Sequence, residues 1–192
     1  MEQRKTRNFV LALATTSDLP ELEEIEKECD EYFKFDPPSA AEHNRSLGEC
    51  LTVGDIIPGV SEEGYKRENY CIYCIRKDGV LAGWLAFYLG YQQEGTAYLS
   101  VLYVKEAYRK NGFGSEIIKA LAHWLADANF KEVRLHCSLR NSTALCFWVK
   151  NGFDRIVRAE CDGNLYPANF GSVELMKVLS KDKSQSLSKR GI

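Results

Sequence analysis

The sequence of 192 residues contains no long apolar segment. Its longest apolar run covers residues 80–91 and is interrupted by Gly83 and Gly90. A helix that spans a bilayer needs roughly twenty consecutive apolar residues. The first seven residues are polar and basic, and they lack the apolar core of a signal peptide. We therefore expect no membrane association and no entry into the secretory route.

An even, closely spaced set of cysteines is also absent. Seven cysteines are scattered among apolar residues, whereas a disulfide framework favours an even number in a shorter chain. Cys71 and Cys74 form a CxxC pair, but they lie in a strand-like segment where positions three apart face opposite sides. No second CxxC pair follows. We expect buried, reduced thiols, no metal site and a cytoplasmic protein.

The chain has no extended basic surface to indicate a nucleic-acid partner. Its 25 basic and 27 acidic side chains nearly balance, and a protein that binds nucleic acid concentrates lysine and arginine on one face. The charge is nevertheless uneven. Residues 18–36 carry nine acidic side chains and two lysines, while residues 177–192 carry five basic side chains and one acidic one. We expect no nucleic-acid partner.

Length and apolar content predict one folded domain over residues 1–179, followed by a polar, disordered tail over residues 180–192. Predicted strands cover residues 9–14, 70–76, 80–91, 96–104, 132–137, 153–159 and 172–179. The first predicted helix begins at Asp18, which caps its N-terminus together with Glu21. Further predicted helices cover residues 39–50, 112–129 and 142–150. Because the strand–helix–strand unit requires a parallel pair, the predicted fold class is α/β, a mixed sheet with helices on both faces.

The most informative segment begins where the strand over residues 96–104 ends. It reads Arg109-Lys110-Asn111-Gly112-Phe113-Gly114 and leads directly into an amphipathic helix. Glycines let consecutive backbone N–H groups turn inward, and the helix N-terminus adds its unpaired N–H groups, so such a loop can bind phosphate. An ordinary turn between a strand and a helix is the alternative. The segment matches neither a P-loop nor the dinucleotide fingerprint, whose first glycine is an arginine here.

At this point the sequence resembles the GNAT superfamily of N-acetyltransferases. That family has a strand that ends in valine, an arginine or glutamine five positions later, and R-x-x-G-x-G, which correspond to Val104 and to residues 109–114. The next strand and helix of the family correspond to Leu135, Asn141, Ala144 and Gly152-Phe153. The spacings agree over about 55 residues. The resemblance implies a mostly antiparallel sheet around a central parallel strand–helix–strand unit.

The resemblance also implies acetyl-CoA as the co-substrate, bound largely by backbone atoms. The donor-binding residues that it implies are Leu102, Tyr103, Val104, Arg109, Lys110, Asn111, Gly112, Phe113, Gly114, Ser115, Asn141, Ala144 and Trp148. The backbone of residues 102–104 would pair with pantetheine, and the N–H of Leu102 would stabilise the oxyanion of the tetrahedral intermediate. N–H groups from Lys110 to Ser115 would bind the pyrophosphate, and Asn141 would bond the pantetheine arm.

Three side chains are candidates for the base that deprotonates the acceptor amine. His136 stands five residues before Asn141, where some relatives carry glutamate, and its imidazole titrates near neutrality. Tyr98 is a second candidate, expected on the same strand face as Leu102, and Glu94 is a third that would act through water. Each side chain could instead be an ordinary packing or surface residue. Trp148 stands where many relatives carry a tyrosine acid, and indole has no proton for acid catalysis.

Two functions remain open at this level. The first is an N-acetyltransferase that acts on a primary amine of a small molecule or peptide by direct attack, as a monomer or homodimer. The second is a CoA-binding regulatory or sensor module without efficient turnover, which the replacement of the tyrosine by Trp148 favours. The acidic segment is either a solvated helix face or an attractive surface for a cationic amine. Acidic residues available for the second role are Asp36, Glu42, Asp55, Glu62 and Glu63.

Overall fold

A computed structural model describes residues 3–28, 45–161 and 171–180. Its strands are β1 (Arg4–Lys5), β2 (Val10–Leu13), β3 (Tyr70–Lys77), β4 (Val80–Leu89), β5 (Thr96–Val104), β6 (Glu132–Ser138), β7 (Arg155–Cys161) and β8 (Gly171–Val178). Its α-helices are α1 (Leu19–Glu26), α2 (Leu47–Val53), α3 (Phe113–Asp127) and α4 (Ser142–Lys150). None of the helices in these residues has the length and apolar character needed to cross a membrane.

The eight strands form one sheet in the order β1-β2-β3-β4-β5-β6-β8-β7. All neighbouring strands are antiparallel except β5 and β6, which α3 connects as a parallel pair. The predicted fold class is confirmed, including the strand–helix–strand unit. Because the central strands are covered on both faces, β4 is buried over nearly its whole length, which explains its long apolar run in the sequence.

The sheet separates two apolar cores. One core packs the sheet against α3 and α4, whose buried side chains include Ile117, Leu121 and Trp148. The other core packs the opposite face against α1 and α2. On β6 every second residue is buried, and those residues belong to the α3/α4 core. The intervening residues, His136 among them, therefore face the α1/α2 side.

The β3–β4 hairpin and the CxxC pair follow their predictions. Asp78 and Gly79 have φ angles of 50° and 83° in the turn, the left-handed conformations that a tight hairpin turn requires. Cys71 belongs to the α3/α4 core and Cys74 to the α1/α2 core. Both thiols are buried and free. The CxxC pair is therefore two packing residues on opposite faces of β3.

The start of α1 differs from its prediction. Asp18 precedes the helix, but its side chain makes no cap hydrogen bond to α1. Its carboxylate instead accepts hydrogen bonds from the N–H and the hydroxyl of Thr15, both at 2.9 Å, and binds Arg76 at 2.9 Å. Asp18 therefore occupies the predicted N-cap position, but its side chain caps the preceding 3-10 turn instead of α1. Asp18 thereby connects this turn to β3.

Other boundaries shift by a few residues. The predicted helix over residues 39–50 lies partly outside the described residues, and α2 continues to Val53. The N-terminal strand β1 was not predicted, because two residues are too short for a hydrophobic pattern. The later helices and β5 lie within one or two residues of their predicted bounds. The predicted tail beyond Ser180, together with Asp36 and Glu42, lies outside the described residues.

Candidate active site

The candidate site lies where the two parallel strands separate. Pairing between β5 and β6 covers only three residue pairs, from Thr96 with Glu132 to Tyr98 with Arg134. Beyond these pairs β5 remains paired with β4 as far as Val104, and β6 remains paired with β8 as far as Ser138. The strands consequently diverge and leave an opening between their C-terminal halves. The edge of β5 that faces this opening has polar backbone groups for an added ligand.

A β-bulge at Ser100 determines which side chains of β5 face each core. Leu99 pairs with Phe87 and Val101 pairs with Ala86, so Ser100 is an extra residue without a position in the β4 register. The extra residue reverses the side-chain alternation. Tyr98 belongs to the α1/α2 core and Leu102 to the α3/α4 core. The expectation that these two share a strand face is wrong, because sequence periodicity does not reveal the bulge.

The backbone of β5 directs two N–H groups toward the opening. Lys105 N–H donates to the Ala82 carbonyl at 2.9 Å, and hydrogen-bonded pairs alternate along an antiparallel ladder. By that alternation Tyr103 bonds to β4, whereas the N–H groups of Leu102 and Val104 point to the other edge. The Leu102 side chain is held in the α3/α4 core. Its N–H is therefore a fixed donor at the point where β5 and β6 diverge.

The glycine loop continues directly from this strand into α3. Arg109 binds the loop to the end of β5. Its Nε donates to the Val104 carbonyl at 2.6 Å, and its guanidinium lies 5.2 Å from the centre of the Tyr103 ring. Lys110 and Gly112 both have positive φ angles, 61° and 78°, and Gly112 is the N-terminal cap of α3. Arg109, Lys110, Asn111 and Gly112 are exposed. The loop therefore presents backbone groups and the positive end of α3 to solvent.

The helices α3 and α4 meet closely at the start of α3. A Cβ atom at Gly114 would lie 3.1 Å from two ring atoms of Phe147, which is tighter than ordinary packing. The side chain of Phe113 turns away from α4 to the N-terminal edge of the sheet. Its ring meets Phe9 edge-on at 4.9 Å and lies below the ammonium of Lys77. Glycine at 112 thus permits the positive φ angle of the loop, glycine at 114 permits the close approach of Phe147, and Phe113 anchors the loop.

The predicted donor-binding residues on α4 have different environments. Asn141 caps the helix, because its Oδ1 accepts a hydrogen bond from Ala144 N–H at 3.0 Å. Its amide NH₂ group keeps two donors that the cap does not use. Trp148 is only 8% exposed and packs edge-on against Phe147 and Phe153. Trp148 is therefore a residue of the α3/α4 core.

Two of the three candidate bases come together across the separating strands. The Tyr98 hydroxyl lies 3.0 Å from His136 Nδ1. Burial raises the pKa of Tyr98 far above its ordinary value, so its hydroxyl stays protonated. Burial lowers the pKa of His136 below its usual range, so the imidazole is neutral at physiological pH. Glu94, in contrast, is exposed in the β4–β5 turn, at the end of β5 far from the glycine loop.

A carboxylate lies over the bulge on the same side of the sheet. Asp55, in the loop after α2, accepts hydrogen bonds from Ser100 Oγ at 3.2 Å and from the Tyr70 hydroxyl at 3.4 Å. These bonds fix the loop on β5 beside the Tyr98–His136 pair. Glu62 and Glu63 are exposed in a 3-10 turn. Of the acidic residues considered from the sequence, Asp55 is thus the one that contacts β5 in the described structure.

The sequence analysis missed one charged residue of this site. Glu174 on β8 stands directly opposite His136 on β6 and is only 2% exposed. In the sequence it lies between Val173 and Leu175, in the alternating pattern of any half-buried strand. No local signal distinguishes it from a solvent-facing glutamate. Its position depends on the pairing of β6 with β8.

Comparison with known proteins identifies the family. The profile described as the acetyltransferase (GNAT) family matches residues 19–153, most of the chain. The chain belongs to the GNAT acetyltransferase family. The matched region contains β5, the glycine loop, α3, β6 and α4. A search of curated protein sequences found no match.

Solved GNAT structures share the fold at low sequence identity. A probable acetyltransferase from Staphylococcus epidermidis is 17% identical, with a TM-score of 0.66 over 90% of this chain and 99% of that one. RimL, a ribosomal L7/L12 alpha-N-protein acetyltransferase in complex with coenzyme A, is 15% identical, with a TM-score of 0.66 over 92% and 97%. NAA60 of Arabidopsis thaliana, in complex with a bisubstrate analogue, is 18% identical, with a TM-score of 0.60 over 90% and 99%.

Proposed function

We propose that this acetyltransferase moves the acetyl group of acetyl-CoA to a primary amine by direct attack of the amine on the thioester. The observation that carries the proposal is the Tyr98–His136 pair at the point where β5 and β6 separate. A neutral imidazole at that point can take a proton from an incoming ammonium. The N–H of Leu102, on the same stretch of β5, can stabilise the oxyanion of the tetrahedral intermediate.

The donor side fits acetyl-CoA in three respects. The outward N–H groups of Leu102 and Val104 suit the amide groups of pantetheine, which would bind as an added strand. The N–H groups from Lys110 to Ser115 and the positive end of α3 suit the pyrophosphate. The amide donors of Asn141 suit a carbonyl of the pantetheine arm. The close contact of Gly114 with Phe147 is compatible with this fit, because any larger residue at 114 would displace Phe147 or the start of α3.

His136 is the proposed general base. At neutral pH an alkyl amine with a pKa of about 10 is about 99.9% protonated, and a peptide N-terminus with a pKa of about 8 is about 90% protonated, so a proton must leave before attack. The lowered pKa of His136 keeps the imidazole unprotonated and ready to accept it. Tyr98 orients the ring through its hydroxyl and remains protonated throughout. The attacking nitrogen then forms the new amide bond as the bond to the CoA sulfur breaks.

The departing thiolate needs no strong acid. Trp148, at the position of the tyrosine acid of many relatives, lies in the core and carries no transferable proton. A thiol pKa of about 8.5 makes thiolate a tolerable leaving group, and water supplies its proton. The alternative function, a CoA-binding module without efficient turnover, rests on this same replacement.

The acceptor is proposed to be a primary amine, and a peptide N-terminus is the first class to test. RimL is described as an alpha-N-protein acetyltransferase, which supports this choice by family likeness alone. The Asp55 carboxylate beside the pair gives the acceptor side a negative group. Small amines and lysine side chains form the other arms of the test. We also propose a cytoplasmic site of action, which the free thiols among the described residues support.

Thermal unfolding with and without acetyl-CoA tests the donor site first. At a concentration of one hundred times Kd a ligand stabilises the folded state by about 2.7 kcal/mol, or roughly 5–10 °C for a chain of this size. We expect this shift with acetyl-CoA and CoA but not with NADPH. If acetyl-CoA causes no shift, the glycine loop is an ordinary turn and not a cofactor site.

Release of CoA with a panel of amines tests the reaction itself. The panel contains peptides with free and blocked N-termini, a lysine peptide with a blocked N-terminus, and small polyamines. Turnover with any unblocked amine supports the transferase. A thermal shift without turnover on the whole panel would favour the CoA-binding module instead.

A further inference from the structure

One buried charge has no role in the mechanism proposed so far. Glu174 is the only charged side chain among the described residues that is fully buried, with 2% exposure. A carboxylate taken out of water is costly unless nearby positive charges compensate it. The surroundings of Glu174 therefore indicate whether this charge only holds strands together or serves another group.

Glu174 and Tyr98 lie on opposite sides of His136. Glu174 pairs with His136 across β6 and β8, and directly opposed residues place their side chains on one face with Cβ atoms about 5 Å apart. On the other side, the Tyr98 hydroxyl on β5 lies 3.0 Å from His136 Nδ1. The imidazole thus has the Tyr98 hydroxyl on its β5 side and the buried Glu174 on its β8 side.

The arginines near Glu174 do not fully neutralise it. Arg134 lies 3.5 Å from Glu174 but only 2.6 Å from Glu132. Arg158 lies 3.6 Å from Glu174 but 3.0 Å from Glu160. Two arginines and three carboxylates leave this cluster with one net negative charge. If His136 gained a proton, the positive imidazolium would balance the net negative charge of the cluster.

We propose that Glu174 is a positioning residue that stabilises the protonated form of His136 while the acceptor amine attacks. The proposal rests on the proposed function. The proton leaves the acceptor ammonium and binds an imidazole nitrogen, which frees the lone pair of the amine and turns His136 into an imidazolium. Glu174 supplies the opposite charge that the buried imidazolium needs. Glu174 takes no part in the proton transfer itself.

The other groups around His136 either support this role or oppose it. Burial, the largest effect, lowers the pKa of His136, and the charge of Glu174 is the largest effect that raises it. Arg158 lowers the pKa and Glu160 raises it, both from β7. Tyr98 stays neutral beside the ring. Tyr91, whose pKa is raised to about 12 chiefly by burial, packs its ring against Tyr98 and stays neutral as well.

Titration of His136 by NMR tests the coupling without any assay of activity. The chain has three histidines, and the His136 signal is assigned by its loss in His136→Ala. We expect Glu174→Gln to lower the pKa of His136 by about one unit. Arg158→Gln, in which a side chain 43% exposed is replaced, should raise it. Glu132→Gln is the matched control, because Glu132 also binds Arg134 but lies four residues from His136, and a smaller shift is expected.

Opposite shifts in the two variants support the proposal, since a general loosening of the fold would move the pKa of His136 in one direction only. An unchanged pKa in Glu174→Gln, or shifts of the same sign in both variants, would overturn it. If Glu174→Gln fails to fold, Arg158→Gln decides alone, and a pKa that does not rise contradicts the proposal.

Kinetics then test whether the coupling matters for the reaction. In Glu174→Gln the acidic limb of kcat/KM should move to lower pH and the plateau should fall about tenfold, while the Kd for acetyl-CoA stays unchanged. Glu174→Asp, which keeps the charge, should recover much of the plateau. Equal losses in Glu174→Gln and Glu174→Asp would overturn the positioning role. If the wild-type protein has no turnover, the proposed function fails, whereas the NMR titration still decides the coupling.

Discussion

The two sides of the divergence between β5 and β6 are built from different parts of the chain. The proposed donor side consists of β5, the glycine loop, α3, β6 and α4, all within residues 96–150, and it offers mainly backbone groups. The other side brings together Tyr98, His136 and Glu174 from three strands, and it offers side chains. A site of backbone groups tolerates many side-chain changes, whereas a site of side chains depends on single residues. Substitutions should therefore affect the two sides differently.

Removal of the proposed base should have the largest effect. We expect His136→Ala to lower kcat/KM at neutral pH by about 10²–10⁴-fold, the usual contribution of a general base. The Kd for acetyl-CoA should change by less than about twofold, because no donor-binding group is altered. Steady-state kinetics with the best amine of the panel and calorimetry with acetyl-CoA provide the two measurements.

The matched control for this change is His123→Ala. His123 lies on α3 and faces Asp127 at 3.5 Å with a partly exposed side chain, so its loss should leave both measurements unchanged. A pH–rate profile that is identical in the wild-type protein and in His136→Ala would remove His136 from the mechanism.

Substitution of the loop glycine should show the opposite behaviour. Gly112 has a φ angle of 78° at the N-terminal cap of α3, and a β-branched residue in that region costs roughly 1–2 kcal/mol. We expect Gly112→Val to weaken acetyl-CoA binding by about tenfold or more, since the strain reshapes the backbone that binds the pyrophosphate. Calorimetry measures this loss.

Gly79→Val separates backbone strain from cofactor binding. Gly79 has a φ angle of 83° in the β3–β4 turn and, like Gly112, has no atom within 4 Å of an added Cβ. The two substitutions should cost similar stability, but only the one in the loop should weaken binding. If Gly112→Val retains micromolar affinity for acetyl-CoA, the loop is not the pyrophosphate site.

A third substitution examines the tryptophan that stands at the position of the tyrosine acid of many relatives. Trp148 lies in the core between Phe147 and Phe153. Trp148→Phe should cost about 1–2 kcal/mol of unfolding free energy, because part of a buried side chain is lost. It should change kcat by less than about twofold, since indole has no proton to donate. Thermal unfolding and kinetics give the two values, and a large loss of kcat in a stable variant would assign Trp148 a direct role.

The strand, loop and helices of the proposed donor side were predictable because their sequence signals are local. The strand that ends at Val104, the spaced glycines and Asn141 lie within about 40 residues, and their spacing carries the resemblance to the family. The prediction for α4 matches the structure in both bounds. Local periodicity similarly predicted the apolar stripe of α3, whose members Ile117, Ile118 and Leu121 are all buried.

The side-chain cluster was only partly predictable, because its geometry arises from pairing between distant strands. Ser100 has an ordinary sequence context, yet as a bulge it moves Tyr98 to the face opposite Leu102. Glu174 is 38 residues from His136 along the chain, and only the β6–β8 register brings the two together. The positions implied by the family resemblance identified His136 and Tyr98 as candidates. Only the structure reveals that these two residues are in contact and that Glu174 lies opposite His136.

The smallest expected effect is a pH dependence of stability that originates at His136. Its pKa is lowered by burial in the folded protein but is about 6.5 in an unfolded chain. The unfolded state therefore binds more protons below pH 6.5, so the stability contributed by neutral His136 declines as the pH falls from about 6.5 toward the folded-state pKa. Above that range His136 contributes no slope. His136→Gln cannot titrate and should lack this decline.

Unfolding curves of both proteins between about pH 5 and pH 7 measure the difference. Taking the difference cancels the carboxylates that titrate in both proteins, including Glu26, whose pKa is raised by burial and whose slope has the opposite sign. Parallel curves would mean that His136 titrates alike in the folded and unfolded states, and its imidazole would then be open to water. A difference in unfolding free energy that grows as the pH falls would show that burial lowers the pKa of His136. The side-chain cluster would then depend on the titration of one residue, whereas the backbone loop does not.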